Sequence, residues 1–538
     1  MTPNERTPAA AGSTTRQTAL DILLQRMQTE SDFPALSEAI GAINRIAASD
    51  TEGVNALSNN ILKDFALTNK LLRLANVAYY SQVGGGSIST ISRAVVVLGF
   101  DAVRSIALSL ILLDNLSNKA HAQLLKEEFV KTLYAGMLAR ELADRAQIKD
   151  AEEAFISAML HRLGHLLSMF YFPEETAEIG LVHASEHISE TQASVRTLGL
   201  SFESLGMGVA KSWGFPDTLV LSMKKLPEGR IRQGSHNTDR LRMLAGFSNE
   251  LCETILNTPD SGRVEALAAM NKRFGECLPM TSKQLAGLLE KSMHDITQFA
   301  QAVNVNLGQS TFAHQASKWA GVLAPVADEA MEEDESTALE DSVLLAHAPV
   351  PPDPVDERDE GVPRSSAEIQ AVLTSGLQDV GSSLIDDSVS LNDILRMILE
   401  TMYIGMGFGH VVLCIKDGRR NAMCGKFGFG DDVHELISTF DFSLAGKPDV
   451  FLVALQNNAD ILIRDIDDPK IASRIPAWYR KRVEARTFVL FPVSVKGKPV
   501  GLIYADRPQP DDITIPEKEL SLLKSLRNQA VLAIRQSV

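Results

Sequence analysis

The chain has 538 residues, 45 % of them hydrophobic and 22 % charged, which is the composition of folded multidomain proteins and not of a disordered or fibrous chain. Its 52 basic against 68 acidic residues give a net charge of −16, which argues against a nucleic-acid backbone or an anionic membrane as bulk partner. Thirteen of the carboxylates and one base, Arg358, lie between Asp328 and Glu360, so the acidity describes one segment rather than a binding face.

The start, residues 1–17, is rich in Thr, Ala, Pro and Asn without an apolar centre, and a frayed, disordered terminus is expected. No apolar run approaches the roughly 18 residues that span a bilayer; the longest, Ile106 to Leu113, holds a serine. Four scattered cysteines, Cys252, Cys277, Cys414 and Cys424, offer neither a disulfide framework nor zinc spacing, and a reducing, cytoplasmic location is expected.

From 18 to 226 the apolar spacing is helical throughout. Ala66 to Tyr80 reads as a helix broken by Gly84-Gly85-Gly86, and Ser89 to Leu98 as a short helix closed by Gly99, after which Asp101 opens the apolar helix to Leu116. More polar helices, Leu241 to Leu256 and Ser282 to Val303, continue over 227–325 as an extension. Residues 326–365 combine the acidic run with Pro349, Pro351, Pro352, Pro354 and Pro363, a linker composition that cannot bury a core.

Over 366–538 two amphipathic helices come first, one carrying Ile369, Leu373 and Leu377, the next Leu391, Ile394, Ile398 and Met402. The period then becomes two, predicting strands at His410 to Lys416, Met423 to Phe427, Thr487 to Val495 and Pro499 to Asp506, the last pair a hairpin over Lys496-Gly497. A closing helix begins near Thr514 and Glu517 with Pro516 in its first turn. The fold class predicted is a multidomain chain, an all-α domain followed by an α+β domain of sensory type.

His161 and His165 are spaced to share a helical face, as a metal pair would be, with His183 and His187 further on. No carboxylate stands between the first two as a hydrolase base would, and packed or surface histidines are the simpler reading. Cys414 and Cys424 would lie nearly opposite across a hairpin centred on Arg419, which raises a redox role. Arg474, Arg480, Lys481, Arg482 and Arg486 cluster around Trp478 and Tyr479 and suit either solvent or an acidic partner. Nucleophile-elbow, phosphate-loop and dinucleotide motifs are missing from the sequence.

Three separated stretches, Leu67-Thr-Asn-Lys-Leu-Leu-Arg-Leu-Ala-Asn-Val-Ala-Tyr-Tyr80, Ile88-Ser-Thr-Ile-Ser-Arg-Ala-Val-Val-Val-Leu-Gly-Phe100 and Trp213-Gly-Phe-Pro216, resemble the HDOD family, the HD-related output domains of bacterial signalling, over about Phe33 to Pro216. Ala154 to Ser168 falls where HD phosphohydrolases carry their His-Asp doublet. By that resemblance Lys131 stands in place of an early histidine ligand, His161 matches, Arg162 replaces the aspartate and Phe202 stands in place of a later histidine. Two cations at the metal position oppose metal binding, so no catalytic residue, metal or cofactor is expected, and Lys131, His161 and Arg162 become a candidate anion site.

The region from Ser366 resembles a GAF domain through Ala459-Asp-Ile-Leu-Ile-Arg-Asp465, Phe488-Val-Leu-Phe-Pro-Val493, Gly501-Leu-Ile-Tyr-Ala-Asp506 and the closing helix. The resemblance implies a pocket, with Phe427, Asp465, Trp478 and Tyr504 as candidate ligand contacts. The expected function is a non-catalytic, cytoplasmic signalling adaptor. Its partners would be signalling proteins, a small ligand or nucleotide at the GAF-like domain and a second copy in a homodimer, but neither membrane nor nucleic acid. The alternative is a metal-dependent HD-type phosphohydrolase acting on a nucleotide or cyclic nucleotide.

Overall fold

The computed structural model describes residues 19–29, 32–46, 51–76, 88–116, 122–146, 148, 151–232, 234, 236–303, 305–320, 365–386, 389–446 and 448–537. The expected disordered terminus and nearly all of the acidic linker lie outside these residues. No described helix is long and apolar enough to cross a membrane.

The chain divides into two compact units that do not follow its linear order. The first takes residues up to 44, 111–296 and 307–322 and is helical. Its centre is the helix Ala122–Arg145, packed on Ala151–Leu160 and Asn237–Asn257. Leu138, Tyr134, Leu160, Leu244 and Leu251 are fully buried there, and Gly136 lets the Phe155 ring approach to 3.0 Å of where a side chain would start. Leu163–Tyr171 lies against Phe202–Ser212 at a backbone-to-backbone crossing between Gly164 and Gly206, where a Cβ on Gly164 would come within 1.8 Å of the Phe202 carbonyl oxygen. The second of these helices is started by Ser201, whose hydroxyl accepts the Ser204 N–H.

The sequence-based reading of one helix through His161 and His165 needs correction. The helix Ala151–Leu160 stops, residues 161 and 162 form a turn, and Leu163–Tyr171 starts afresh with Arg162 at its N-cap. The break allows the second helix to turn onto Phe202–Ser212, so the two histidines do not share a continuous face.

The second unit joins residues from 45–110 and 297–306 to 365–537. Six antiparallel strands, β1 (His410–Asp417), β2 (Ala422–Gly430), β3 (Asp441–Ser443), β4 (Ile461–Ile463), β5 (Thr487–Val495) and β6 (Lys498–Arg507), form one sheet in the order β3-β2-β1-β6-β5-β4. Lys496 and Gly497 both take positive φ and close the β5–β6 hairpin, as a two-residue turn requires. One sheet face, with Val411, Leu413, Phe429, Phe491 and Ile503, packs under Leu391–Met406, with Ser366–Ser383 and Glu517–Gln536 completing that core. The other face, with Val412, Cys414, Leu490 and Tyr504, is covered by Phe440, Phe451, Trp478 and Tyr479. Pro516 proves to be the N-cap of the closing helix, which has no side-chain cap.

Within this unit the helix Ile91–Leu98 packs on Leu391–Met406, and Thr51–Leu62 on β2. Residues read from the sequence as part of the N-terminal helical domain are therefore built into the same compact unit as the sheet.

Candidate functional site

In the first unit the chain assembles a charge network from five separate segments, with Lys225 joining from a sixth. Ala122–Arg145 presents Glu128 and Lys131 one turn apart, the turn after Leu160 presents Arg162, and Leu163–Tyr171 presents His165. Glu190–Leu198 and Asn237–Asn257 add Glu190 and Glu253. The Lys131 ammonium reaches Glu128 at 2.8 Å and Glu253 at 2.9 Å. Arg162 donates through Nε to Glu128 at 2.6 Å, and its guanidinium pairs with Glu253 at 3.1 Å. His165 Nδ1 lies 3.4 Å from Glu128, and Lys225 lies 3.4 Å from Glu190. The Gly164–Gly206 crossing sets the His165 ring edge-on to Phe202, with centroids 4.9 Å apart.

Three carboxylates thus meet three cations. Burial alone would raise the pKa of Glu128, but the His165 hydrogen bond and the charges of Arg162 and Lys131 outweigh it and hold the carboxyl well below its usual range. Glu190 follows the same pattern: burial opposes ionisation, and Arg162, His165 and Lys225 restore it. For Arg162, burial disfavours the charge while Glu128, Glu253 and Glu190 reinforce it, and its pKa is raised. Glu128 is almost fully buried, and loss of one partner there exposes an uncompensated charge.

The candidate anion trio is therefore arranged otherwise than its spacing suggested. Lys131 and Arg162 come together, but on carboxylates of the chain itself. His161 stands outside the network: burial, then the charges of Arg162, Lys225 and Arg242, push its pKa down to about 4, so the ring is neutral at pH 7. Its Nδ1 is buried without a hydrogen-bond partner among the described residues. His183 bonds the Ile188 carbonyl at 2.6 Å, and His187 is the left-handed C-cap of Pro173–Glu186, so the four histidines are not gathered. No metal-holding cluster of His, Cys, Asp and Glu occurs among the described residues. The donor set present does not fit an HD-type metal centre, because Lys131 and Arg162 occupy the carboxylate oxygens an ion would need.

The second unit separates the candidate pocket residues. Phe427 faces the helix-covered side of the sheet, with the Arg396 guanidinium 5.6 Å from its ring centroid. Tyr504 and Trp478 share the opposite side, where Phe440 stands between them at 4.7 and 5.5 Å and Trp478 stacks on Phe442. Asp465 is in a surface turn, bound to Arg486 at 2.9 Å. Among the basic cluster, Arg480 and Arg486 both pair with Asp467, Arg474 is exposed, and Lys481 and Arg482 are exposed on a shallow cavity of about 480 Å³ that Asp467 and Arg480 also line. The four-residue turn 418–421, which pairs Asp417 with Ala422, sets Cys414 opposite Gly425 and Cys424 opposite Ile415, so the two thiols are not cross-strand partners; both are free, and the β-bulge between Leu413 and Cys414 shifts only the pairs beyond them.

Inside that aromatic face runs a buried hydrogen-bond chain. The Tyr479 and Tyr504 hydroxyls meet at 2.9 Å, Tyr504 donates to Asp506 at 2.6 Å, and Asp506 faces His410 Nδ1 at 2.9 Å. His410 Nε2 meets the Asp431 carbonyl at 2.8 Å. Both ring nitrogens thus face acceptors, an arrangement that only the imidazolium satisfies. Burial lowers the His410 pKa, but the bonds to Asp506 and Asp431 more than offset it and the value is raised.

Sequence reasoning missed Glu400 and Asp379. Glu400 is fully buried and accepts the Ile91 N–H and, at 2.8 Å, the Ser92 N–H at the start of Ile91–Leu98. Asp379 accepts the Ser89 N–H at 2.8 Å, and Arg93 donates to Ser383 at 2.8 Å. Burial raises Glu400 to about 7 against the opposing hydrogen bonds of Ser92 and Ile91. The one sequence signal was an acid set in the apolar run Ile394 to Met406.

A helical region and an antiparallel sheet with flanking helices make the chain a multidomain protein, all-α and then α+β. The models of two families match it: the HDOD domain over residues 33–226 and the GAF domain over 390–534. The chain carries both domains. Among solved structures it is similar to a candidate phosphohydrolase of Shewanella amazonensis SB2B, at 23 % identity over 54 % of this chain and 99 % of that one, with a TM-score of 0.40. An HDOD domain protein of unknown function from Geobacter sulfurreducens is 20 % identical over 53 % and 99 % of the chains, TM-score 0.38. The GAF domain of an Acinetobacter phosphoenolpyruvate-protein phosphotransferase is 18 % identical over 32 % and 96 %, TM-score 0.26. No curated protein matches the chain.

Proposed function

We propose that the protein is a non-catalytic signalling adaptor, in which the HDOD domain engages protein partners and the GAF domain senses a small ligand or dimerises. The observation that carries this reading is the charge network: Lys131 and Arg162, which by resemblance stand at an HD-type metal position, are paired with Glu128 and Glu253, and Arg162 also lies 4.0 Å from Glu190. An ion would have to displace two cations and three short charge-assisted bonds. A network closed on itself also leaves no unpaired cation for a phosphate, so the HDOD domain works as a scaffold rather than as a nucleotide site.

Native mass spectrometry of the intact chain, purified without chelator, tests this. Bare chains, single or paired, or chains with one organic ligand are expected. One or two metal ions that a chelator strips would refute the reading and return the phosphohydrolase alternative.

A further inference from the structure

Residues 88–98 are fixed to the second unit by an unusually polar seat. Glu400 takes two backbone N–H groups from the first turn of Ile91–Leu98, Asp379 takes the Ser89 N–H, and Arg93 crosses to the Ser383 hydroxyl. Thr90 caps the same turn by accepting the Arg93 N–H, so the first-turn donors are shared between one local and one distant acceptor. A second attachment is also polar: the Asn55 and Asn59 amides donate to the Gly428 carbonyl at 3.3 and 3.2 Å, and Gly430 N–H donates back to Asn59. Leu62 and Val96 are the partly buried apolar side chains from this stretch that reach the helix-covered core.

The balance of forces in such a seat differs from that of an apolar interface. Glu400 and Asp379 are two carboxylates buried within one site, with Arg93 the cation that acts on Asp379 and its guanidinium directed to Ser383. Both regain water if the helix leaves, so separation returns solvation that docking had removed. The N-terminus of the helix offers its partial positive charge and its orphan donors in exchange. Two large opposing terms leave a small difference, which is the condition for a contact that opens locally while the sheet stays folded.

We propose that Glu400 and Asp379 form an intramolecular latch for the N-terminus of the helix Ile91–Leu98, holding residues 45–110 of the HDOD-matched stretch on the GAF helices and releasing them as a unit. The latch goes beyond the adaptor reading and stands whether or not a ligand or metal binds. Its consequence is that a shift of Leu391–Met406, which carries Glu400 over the sheet, reaches residues 88–98 through two hydrogen bonds as well as through the packing of the two helices.

Hydrogen–deuterium exchange on the full chain tests it in the wild type first. Amides of residues 91–98 should exchange at least about 100-fold faster than those of β5 and β6, through an opening that is insensitive to low urea. Equal rates and a shared urea dependence would show that the segment leaves only on global unfolding and would overturn the latch. Glu400→Ala should raise exchange in 88–98 a further tenfold or more with β5 and β6 unchanged, and Glu400→Gln, which keeps an acceptor, should stay nearer the wild type. Unchanged protection of 88–98 in Glu400→Ala overturns the proposal. Should that variant lose protection in the sheet as well, the wild-type comparison and Asp379→Asn, expected to raise exchange at 88–90 several-fold, decide it. The result is independent of the mass spectrum that tests the adaptor reading.

Discussion

Replacing Gly164 by alanine probes the crossing that sets the charge network in place. The added Cβ would lie 1.8 Å from the Phe202 carbonyl oxygen and 2.6 Å from the Gly206 nitrogen, both backbone atoms that no rotamer can move. Restoring ordinary contact at 3.4 Å requires Leu163–Tyr171 and Phe202–Ser212 to part by about 1.6 Å, which exceeds what a close-packed interior absorbs. Overpacking of this kind costs about 3 kcal/mol. At 2–4 °C per kcal/mol for a unit of this size, the melting temperature should fall by roughly 6–12 °C. The matched control is Gly180→Ala: a Cβ there meets nothing within 4 Å, the position is exposed and mid-helix, and alanine should stabilise by about 0.5–1 kcal/mol. Calorimetry of the full chain compares the two. A Gly164→Ala protein melting within a degree of wild type would refute the close crossing and, with it, the stated placement of His165.

The remaining predictions concern charge. Glu128→Gln should cost about 3–5 kcal/mol in urea unfolding by leaving Lys131 and Arg162 short of an anion, and pairing it with Arg162→Met should be less than additive by over about 1 kcal/mol; strict additivity would show the groups uncoupled. Because the folded pKa of Glu128 is depressed, its contribution is present above about pH 4.5 and is lost as pH falls through the folded value. His410 has the opposite sign: its folded pKa is raised, so its contribution is complete below about 6.5 and is lost as pH rises through the folded value. The stability gap between wild type and His410→Phe should therefore narrow on the alkaline side, and a constant gap from pH 5 to 9 would contradict an imidazolium held between Asp506 and Asp431.

Periodicity was enough for the four longer strands, because β1, β2, β5 and β6 alternate over eight to ten residues between two buried faces. The three-residue strands β3 and β4 are too short to alternate, and their place is set by the edges they complete. The turn at 161–162 left no trace because Gly164, which suggested weakness, acts through a helix 40 residues away. Lys131 and Arg162 were found by resemblance, but Glu128, Glu190 and Glu253 are ordinary helix-surface acids in sequence, and only the packing of three helices brings them to two cations. For the same reason an apolar pair such as Leu71 and Leu74 on one helix, or Ile91 and Val95 on the next, announces burial without naming what buries it. The turn spans four residues, 418–421, and is not centred on Arg419, so Cys424 falls one residue out of register with Cys414, an offset that alternation alone cannot foresee.

The interleaved make-up of the second unit also has a consequence in time. Residues 45–110 leave the ribosome roughly 300 residues before Leu391–Met406, the helix that receives them. At about 5–20 residues per second the wait is on the order of 15–60 s, far longer than a helix needs to form. During that interval Leu62 and Val96, which in the finished unit pack against the helix-covered core, lack that surface. Early synthesis of this protein therefore leaves the first turn of Ile91–Leu98 without the carboxylate that finally receives it, and shortening the distance by circular permutation should ease its production.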